Sequence, residues 1–212
     1  MDELIDHDGV KGTLTRGASL EHALVLAHGA GSNSNAAILK AVGARLGEQG
    51  WSVLRCDLPF RQKHAGPPRP NEAAEDRNGL RYALQVLRQE TSAETHLFLG
   101  GHSYGGRQAT MLAADELDID AVGLLLMSYP LHPPGKPLQL RTAHLPQLRK
   151  PAFFAHGVRD DFGTREEMEC ALRLSPATTQ LFMVDGAGHD LGAGKKLGFV
   201  EAFLEFSSGL PL

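Results

Sequence analysis

A serine flanked by glycines is the residue of this sequence best suited to covalent chemistry. The segment Gly101-His102-Ser103-Tyr104-Gly105 matches the pattern G-x-S-x-G, in which a serine sits on a sharp turn between a strand and a helix. Such a turn is strained, and the strand and helix nearly touch, so the flanking positions have no room for a Cβ. The pattern predicts that Ser103 is a nucleophile. The alternative is a glycine-rich turn with a serine at a helix N-cap.

Two further loops carry groups that would activate such a serine. His189 lies in the glycine-flanked segment 186–190, and Asp160 and Asp161 follow the apolar run 152–155. A histidine can act as the general base, and a carboxylate can orient that histidine. The residues alone leave open which aspartate takes this role. The order serine, aspartate, histidine is that of the α/β-hydrolases, and the two common serine protease folds have other orders.

The same chemistry requires N–H groups that stabilise a negatively charged oxygen. The glycine-rich loop 29–31 follows the apolar run 23–27, and it can present an N–H group opposite that of Tyr104. Arg61 and Arg107 could favour an anionic substrate, with solvated surface positions as the alternative. We expect structural roles for the remaining polar residues near strand ends, which are His28, Asp57, His102 and His156.

Apolar strands and amphipathic helices alternate along the chain. The patterns predict strands at 23–27, 51–58, 97–99, 121–127, 152–155 and 180–184, and helices at 35–49, 73–90, 104–114, 164–174 and 197–206. Residues 10–15 form an edge strand or hairpin arm in this interpretation, and residues 60–70 and 131–151 form loops. The alternation predicts an α/β fold with a doubly wound, mostly parallel sheet and a site at the carboxyl ends of its strands.

The composition is that of a single domain spanning residues 1–212, since 42% of the residues are hydrophobic. A net charge of -4 disfavours nucleic acid and anionic membrane surfaces as partners. The chain opens with acidic residues and has no apolar stretch of about 20 residues, so we expect a cytoplasmic protein. Cys56 and Cys170 are expected to be buried free thiols. The oligomeric state, monomer or homodimer, stays open.

Together these motifs resemble the α/β-hydrolase superfamily, in particular its small dienelactone hydrolase-like branch without a cap domain. The segments 128–136 and 156–163 are similar to the KANL/Tex-type group of hydrolases. The resemblance implies a triad of Ser103, Asp160 and His189, with an oxyanion hole formed by the N–H groups of Ala30 and Tyr104. Dienelactone hydrolases use a cysteine where this chain has Ser103, so their substrate does not carry over.

Other functions fit the sequence less well. The segment 29–34 has Ser34 where a dinucleotide-binding loop has its third glycine, and residues 189–196 lack the first glycine and the final serine or threonine of a phosphate-binding loop. No spacing typical of metal ligands is present, so we expect neither a metal nor a cofactor. The sequence therefore predicts a serine hydrolase acting on a small ester, thioester or lactone. The alternative is a catalytically idle hydrolase fold that serves as a binding module.

Overall fold

The structure is a computed structural model that describes residues 2–211. Its strands are β1 (Asp2–His7), β2 (Val10–Thr15), β3 (His22–Ala27), β4 (Ser52–Asp57), β5 (His96–His102), β6 (Gly123–Met127), β7 (Ala152–Gly157) and β8 (Thr179–Val184). Within the described residues these strands form one sheet in the order β1-β2-β4-β3-β5-β6-β7-β8. The pairs from β4 through β3 to β8 are parallel, whereas β2 pairs antiparallel with both β1 and β4.

Helices cover both faces of the sheet. They are α1 (Ala37–Glu48), α2 (Pro59–Lys63), α3 (Ala73–Gln89), α4 (Tyr104–Asp115), α5 (Arg165–Leu172) and α6 (Gly198–Ser208). Alternate side chains of β3 point to opposite faces: Val25 packs in a core with α3, α4 and α5, and Leu24 packs in a core with α1 and α6. Both faces are buried because the central strands are apolar throughout, and the predicted doubly wound, mostly parallel sheet is confirmed.

Local sequence signals account for the positions at which two of the helices begin. Helix α5 begins with a capping box, in which the Thr164 hydroxyl accepts the Glu167 N–H at 3.2 Å and the Glu167 carboxylate accepts the Thr164 N–H at 2.8 Å. The prediction of a continuous loop over residues 60–70 is wrong, because α2 forms within it. Pro59 lies at the first position of α2, where its missing N–H group costs no hydrogen bond.

The N-terminal hairpin is a further difference from the predicted fold. Strand β1 was not among the predicted strands, and it is the edge of the sheet, paired with β2 in register from Asp2 opposite Thr15 to His7 opposite Val10. Only Ile5 of β1 is buried. An edge strand with one buried side chain has no hydrophobic period, so its sequence resembles that of a loop.

The segments that follow the strands at their carboxyl ends lie along one edge of the sheet. The longest of them, between β6 and β7, contains a 3-10 turn at Leu145–Gln147 and no α-helix, so the described part of the chain has no lid over this edge of the sheet. No helix among residues 2–211 is long and apolar enough to cross a membrane. The carboxyl edge of the sheet is therefore open where β5 delivers Ser103.

Candidate active site

Ser103 lies on a strained turn between β5 and α4. Its backbone angles are φ 51° and ψ −115°, a conformation that residues with a Cβ rarely adopt. The surrounding backbone holds the turn in place: the Ser103 N–H donates to the Met127 carbonyl at 2.8 Å, and the Gly105 N–H donates to the His28 carbonyl at 3.1 Å. Two neighbouring strands thus fix the turn that exposes the serine.

The flanking glycines permit the close approach of this turn to β3. A Cβ at Gly101 would lie 2.6 Å from the Ala27 carbonyl oxygen, and a Cβ at Gly105 would lie 2.6 Å from the His28 carbonyl oxygen. Both distances are far below van der Waals contact, and both obstacles are backbone atoms that cannot rotate away. The spacing of glycines around Ser103 is therefore a packing requirement of the β5–α4 junction.

The structure brings the predicted serine, histidine and aspartate together in one hydrogen-bonded row. The Nε2 atom of His189 lies 2.7 Å from Ser103 Oγ, and its Nδ1 atom lies 2.9 Å and 3.0 Å from the two carboxylate oxygens of Asp160. A proton on Nδ1 and a free lone pair on Nε2 satisfy both contacts. In this tautomer the imidazole can accept the hydroxyl proton of Ser103.

The two adjacent aspartates occupy different environments. The Asp160 side chain is fully buried and faces His189, whereas Asp161 is exposed and makes no hydrogen bond to His189. The Asp160 carboxylate also accepts the Phe162 N–H at 3.0 Å. Only Asp160 is placed to orient the imidazole.

Opposing effects set the charge state of Asp160. Burial disfavours the carboxylate, but the hydrogen bonds from His189 and the Phe162 N–H favour it, as do His189 and His156 when they are protonated, so the pKa of Asp160 lies below its usual value. Asp160 is thus a carboxylate at neutral pH. A buried negative charge beside Nδ1 stabilises the imidazolium that forms when His189 accepts a proton.

The N–H groups of Ala30 and Tyr104 are the pair predicted for the oxyanion hole. Tyr104 is the first residue of α4, directly after Ser103, and Ala30 lines the same cavity as Ser103. The Ala30 peptide is oriented by its other end, because the Gly29 carbonyl accepts hydrogen bonds from the ring of His28 at 2.8 Å and from the Ser32 N–H at 3.1 Å. Arg61 adds a hydrogen bond to the Ala30 carbonyl at 2.9 Å. These contacts hold the 29–31 loop in place.

Three histidines hold the loops of the site. His28 connects the 29–31 loop to the Leu58 N–H through Nε2 at 3.1 Å. His102 donates from Nε2 to the carbonyl of His189 at 2.7 Å, and His156 donates from Nε2 to the Gly163 carbonyl at 2.8 Å. Burial lowers the pKa of each, for His102 to about 4, so all three are neutral at pH 7. Their contacts agree with the structural roles expected from the sequence.

Phe162 is a site residue that the sequence patterns did not indicate. Its ring stacks on that of His189 with 4.1 Å between centroids and 27° between planes. With Ser103, His102 and the 29–32 loop, these two rings line a cavity of about 310 Å³. A single phenylalanine after an acidic loop carries no periodic signal, so only the tertiary structure reveals this contact.

The remaining predicted residues lie outside the row of hydrogen bonds. Asp57 accepts the Ser34 N–H at 2.6 Å, as a turn residue would. Cys56 is buried as expected, but Cys170 is exposed, so the prediction of a buried thiol is wrong there; α5 presents Cys170 on its outer side. Among residues 2–211, no group of three or more histidine, cysteine, aspartate or glutamate side chains is arranged to hold a metal ion.

Sheet order, serine turn and missing lid together define the class of α/β-hydrolases. A family model described as an alpha/beta hydrolase domain matches residues 20–203, and the chain belongs to this family. The predicted α/β-hydrolase is therefore confirmed. The finer similarity to the KANL/Tex-type group stays a prediction.

Solved structures with the same fold include several hydrolases at low sequence identity. The dienelactone hydrolase from Anabaena variabilis ATCC 29413 is 18% identical, with a TM-score of 0.73 over 98% of this chain and 95% of that chain. An α/β serine hydrolase without a lid from Xanthomonas campestris is 15% identical, with a TM-score of 0.75 over 100% and 95% of the two chains. Est1E from Butyrivibrio proteoclasticus, solved with ferulic acid, is 20% identical, with a TM-score of 0.75 over 97% and 98%.

Proposed function

We propose that the protein is a serine hydrolase that cleaves a small ester, thioester or lactone through an acyl-enzyme on Ser103. The observation that carries this proposal is the continuous row of hydrogen bonds from Ser103 Oγ through His189 to the buried Asp160. A buried carboxylate, an imidazole and a strained serine in one row have no evident structural purpose, whereas each has a role in nucleophilic catalysis.

The proposed reaction has two halves. In the first, Ser103 Oγ attacks the acyl carbon while its proton passes to Nε2 of His189, and the N–H groups of Ala30 and Tyr104 stabilise the resulting oxyanion. Collapse of this intermediate breaks the bond to the leaving alcohol or thiol, which takes the proton from His189. In the second half, a water molecule gives its proton to His189 and attacks the acyl group, and the carboxylic acid leaves as Ser103 regains its proton.

The open site supports small or exposed acyl groups as substrates. The cavity over Ser103 has a volume of about 310 Å³, and no lid in the described residues offers an apolar cover for a long acyl chain. Thioesters and lactones pass through the same tetrahedral intermediate as esters, so we propose them as one substrate class. We further propose that the protein acts on a small molecule without nucleic acid, membrane, metal or cofactor.

Labelling with a fluorophosphonate probe tests the nucleophile directly. The expected result is a single adduct on Ser103 by peptide mapping, together with hydrolysis of 4-nitrophenyl acetate or butyrate. The Ser103→Ala protein should lose the adduct and about 10⁶-fold in kcat, while its circular dichroism spectrum stays unchanged.

A distant serine provides the matched control. Ser208 lies near the end of α6, where its hydroxyl contacts only the Glu205 carbonyl at 2.9 Å, so the Ser208→Ala protein should label and turn over like the wild type. A wild-type protein that takes no label and hydrolyses no activated ester would instead indicate an idle hydrolase fold. An adduct on another residue would show that the nucleophile is assigned wrongly.

A further inference from the structure

A buried aspartate of α3 contacts the residue that follows Ser103 in the chain. The Asp76 side chain is fully buried, and its Oδ2 atom accepts a hydrogen bond from the Tyr104 hydroxyl at 2.6 Å. The other carboxylate oxygen, Oδ1, accepts the Phe60 N–H at 3.0 Å. The two oxygens of Asp76 thus connect the start of α2 to the start of α4.

Burial of this acid opposes its ionisation. Within residues 2–211, no lysine, arginine or histidine nitrogen lies within 4.0 Å of the Asp76 carboxylate. Burial raises the pKa of Asp76, and the hydrogen bonds from the Tyr104 hydroxyl and the Phe60 N–H oppose that rise. A buried acid without a cation is costly to place in a fold. Stability alone therefore does not account for an aspartate at this position.

The Tyr104 side chain is held at its ring as well as at its hydroxyl. The rings of Tyr104 and Phe60 meet edge to face, with 5.7 Å between centroids and 89° between planes. Tyr104 is the first residue of α4, and N–H groups in the first turn of a helix have no partner within that helix. A side chain fixed at both points limits the movement of this turn, which carries the Tyr104 N–H.

The start of α2 also contacts the loop on the other side of the proposed oxyanion hole. The Leu58 N–H donates to His28 Nε2 at 3.1 Å, and His28 Nδ1 donates to the Gly29 carbonyl at 2.8 Å. This carbonyl belongs to the same peptide group as the Ala30 N–H. Arg61 donates to the Ala30 carbonyl at 2.9 Å. One short segment is thus bonded to the loop that carries one N–H group and, through the buried aspartate, to the helix that carries the other.

We propose that Asp76 is a positioning residue, which fixes the Tyr104 N–H relative to the Ala30 N–H through its contacts with the Tyr104 hydroxyl and the Phe60 N–H. The inference rests on the proposed serine hydrolase function, because these N–H groups stabilise an oxyanion only when a substrate is attacked. Oxyanion stabilisation depends on short distances that are reached in the transition state. A displaced N–H group therefore lowers kcat, whereas it changes KM little.

The variant Tyr104→Phe tests this role with a small change. It keeps the ring that packs against Phe60 and loses the hydroxyl that donates to Asp76. For 4-nitrophenyl acetate we expect kcat to fall by about 10- to 100-fold and KM to change by less than about threefold, since loss of a whole oxyanion donor costs about 10²- to 10³-fold. The matched control is Tyr82→Phe, which removes the hydroxyl of an exposed tyrosine of α3 and should leave both constants unchanged.

Inhibition by propyl trifluoromethyl ketone measures the oxyanion hole without turnover. Ser103 Oγ forms a bond to the carbonyl carbon, the hydroxyl proton passes to His189, and the carbonyl oxygen becomes an alkoxide that the two N–H groups bind. The inhibition constant Ki should rise for Tyr104→Phe by about the factor by which kcat falls, because the adduct resembles the transition state. A merely structural role would lower Tm and leave Ki unchanged at temperatures well below Tm.

Two replacements of Asp76 separate its hydrogen bonds from its charge. Asparagine can accept the Phe60 N–H with its oxygen and donate from its amide to the Tyr104 hydroxyl oxygen, so Asp76→Asn should keep kcat within about tenfold of the wild type. Alanine makes neither contact, so Asp76→Ala should lose at least as much kcat as Tyr104→Phe. Adding Tyr104→Phe to Asp76→Ala should cause little further loss, because both changes break the same contact.

The outcomes distinguish the positioning role from the proposed function. A folded Tyr104→Phe protein with the wild-type kcat and Ki would refute the positioning role and leave the proposed function intact. Equal losses for Asp76→Asn and Asp76→Ala would assign the effect to the charge and refute positioning by these hydrogen bonds. A wild-type protein that neither hydrolyses esters nor binds the ketone would refute the proposed function, and the positioning role with it.

Discussion

At the scale of single residues, the two adjacent aspartates that follow β7 show how one position differs from the next. Asp160 is buried and in contact with His189, whereas Asp161 is exposed one residue later. The Asp160 N–H donates to the Gly157 carbonyl at 3.1 Å, which closes a tight turn that sends successive side chains in different directions. Only one carboxylate can therefore face the imidazole, and the effect of removing each charge should differ strongly.

The pair of variants Asp160→Asn and Asp161→Asn measures this difference. Asparagine at 160 keeps the shape and the acceptor for the Phe162 N–H, but it can turn its amide towards Nδ1 and favour the wrong imidazole tautomer. We expect kcat on an activated ester to fall on the order of 10⁴-fold for Asp160→Asn and by less than about tenfold for Asp161→Asn. The reverse pattern would make Asp161 the acid and contradict the assignment.

At the scale of elements, the junction of β5 and α4 depends on backbone contact with β3. The first residues of α4 lie so close to the end of β3 that the Gly105 N–H bonds the His28 carbonyl at 3.1 Å. This contact places the N-terminus of α4, with the Tyr104 N–H, beside the loop that carries the Ala30 N–H. The geometry of the proposed oxyanion hole thus depends on the packing of one helix against one strand.

Alanine at Gly105 should disturb this packing. Its Cβ would meet the backbone of His28 at 2.6 Å and of Ala27 at 2.8 Å, so the helix must move. Overpacking of this kind costs about 1–3 kcal/mol, which corresponds to a fall in Tm of roughly 2–10 °C for a chain of this size. Calorimetry measures that fall, and esterase assays should show a loss of kcat beyond it because the Tyr104 N–H shifts.

The first residue of α6 offers a matched control. Gly198 is exposed, and a Cβ there would meet no atom within 4 Å, so Gly198→Ala should leave Tm unchanged or raise it slightly. Equal Tm values for the Gly105 and Gly198 variants would show that the β5–α4 junction tolerates a side chain, contrary to the structure.

At the scale of the whole molecule, histidines that are neutral at pH 7 link the stability of the fold to pH. Burial lowers the pKa values of His28, His102, His144 and His156, for His102 and His144 to about 4. In the unfolded chain these side chains bind protons near the ordinary pKa of about 6.5. Between these two pKa values the unfolded state binds more protons than the folded state, so acid favours unfolding.

The free energy of unfolding should therefore fall as the pH decreases from about 6.5 to about 4. Above pH 7 these histidines should contribute little to its pH dependence. Each histidine contributes a slope of at most about 1.4 kcal/mol per pH unit in this window. Urea unfolding at several pH values measures the slope, which should be shallower for His144→Gln than for the wild type. An unchanged slope for His144→Gln would contradict this prediction.

Much of the fold was predictable because its signals are local. Central strands that are buried on both faces appear as continuous apolar runs, and helices that cover a sheet have one apolar side, so β3 to β8 and most helices follow from composition and period. Strand β1 and helix α2 were missed because they lack such local signals. Their formation depends on pairing with β2 and on packing of Phe60 against the core, which no local pattern records.

The candidate site likewise has features that the sequence predicts and features that depend on the tertiary structure. The sequence by itself determined the serine turn, the loops that carry the other groups and their common edge, because parallel strands bring their carboxyl ends together. Only the tertiary structure decided that Asp160 rather than Asp161 faces His189, that Phe162 stacks on that ring, and that Arg61 donates to the Ala30 carbonyl. Those outcomes depend on side-chain direction and on partners distant in the chain, and neither is encoded in the spacing of residue types.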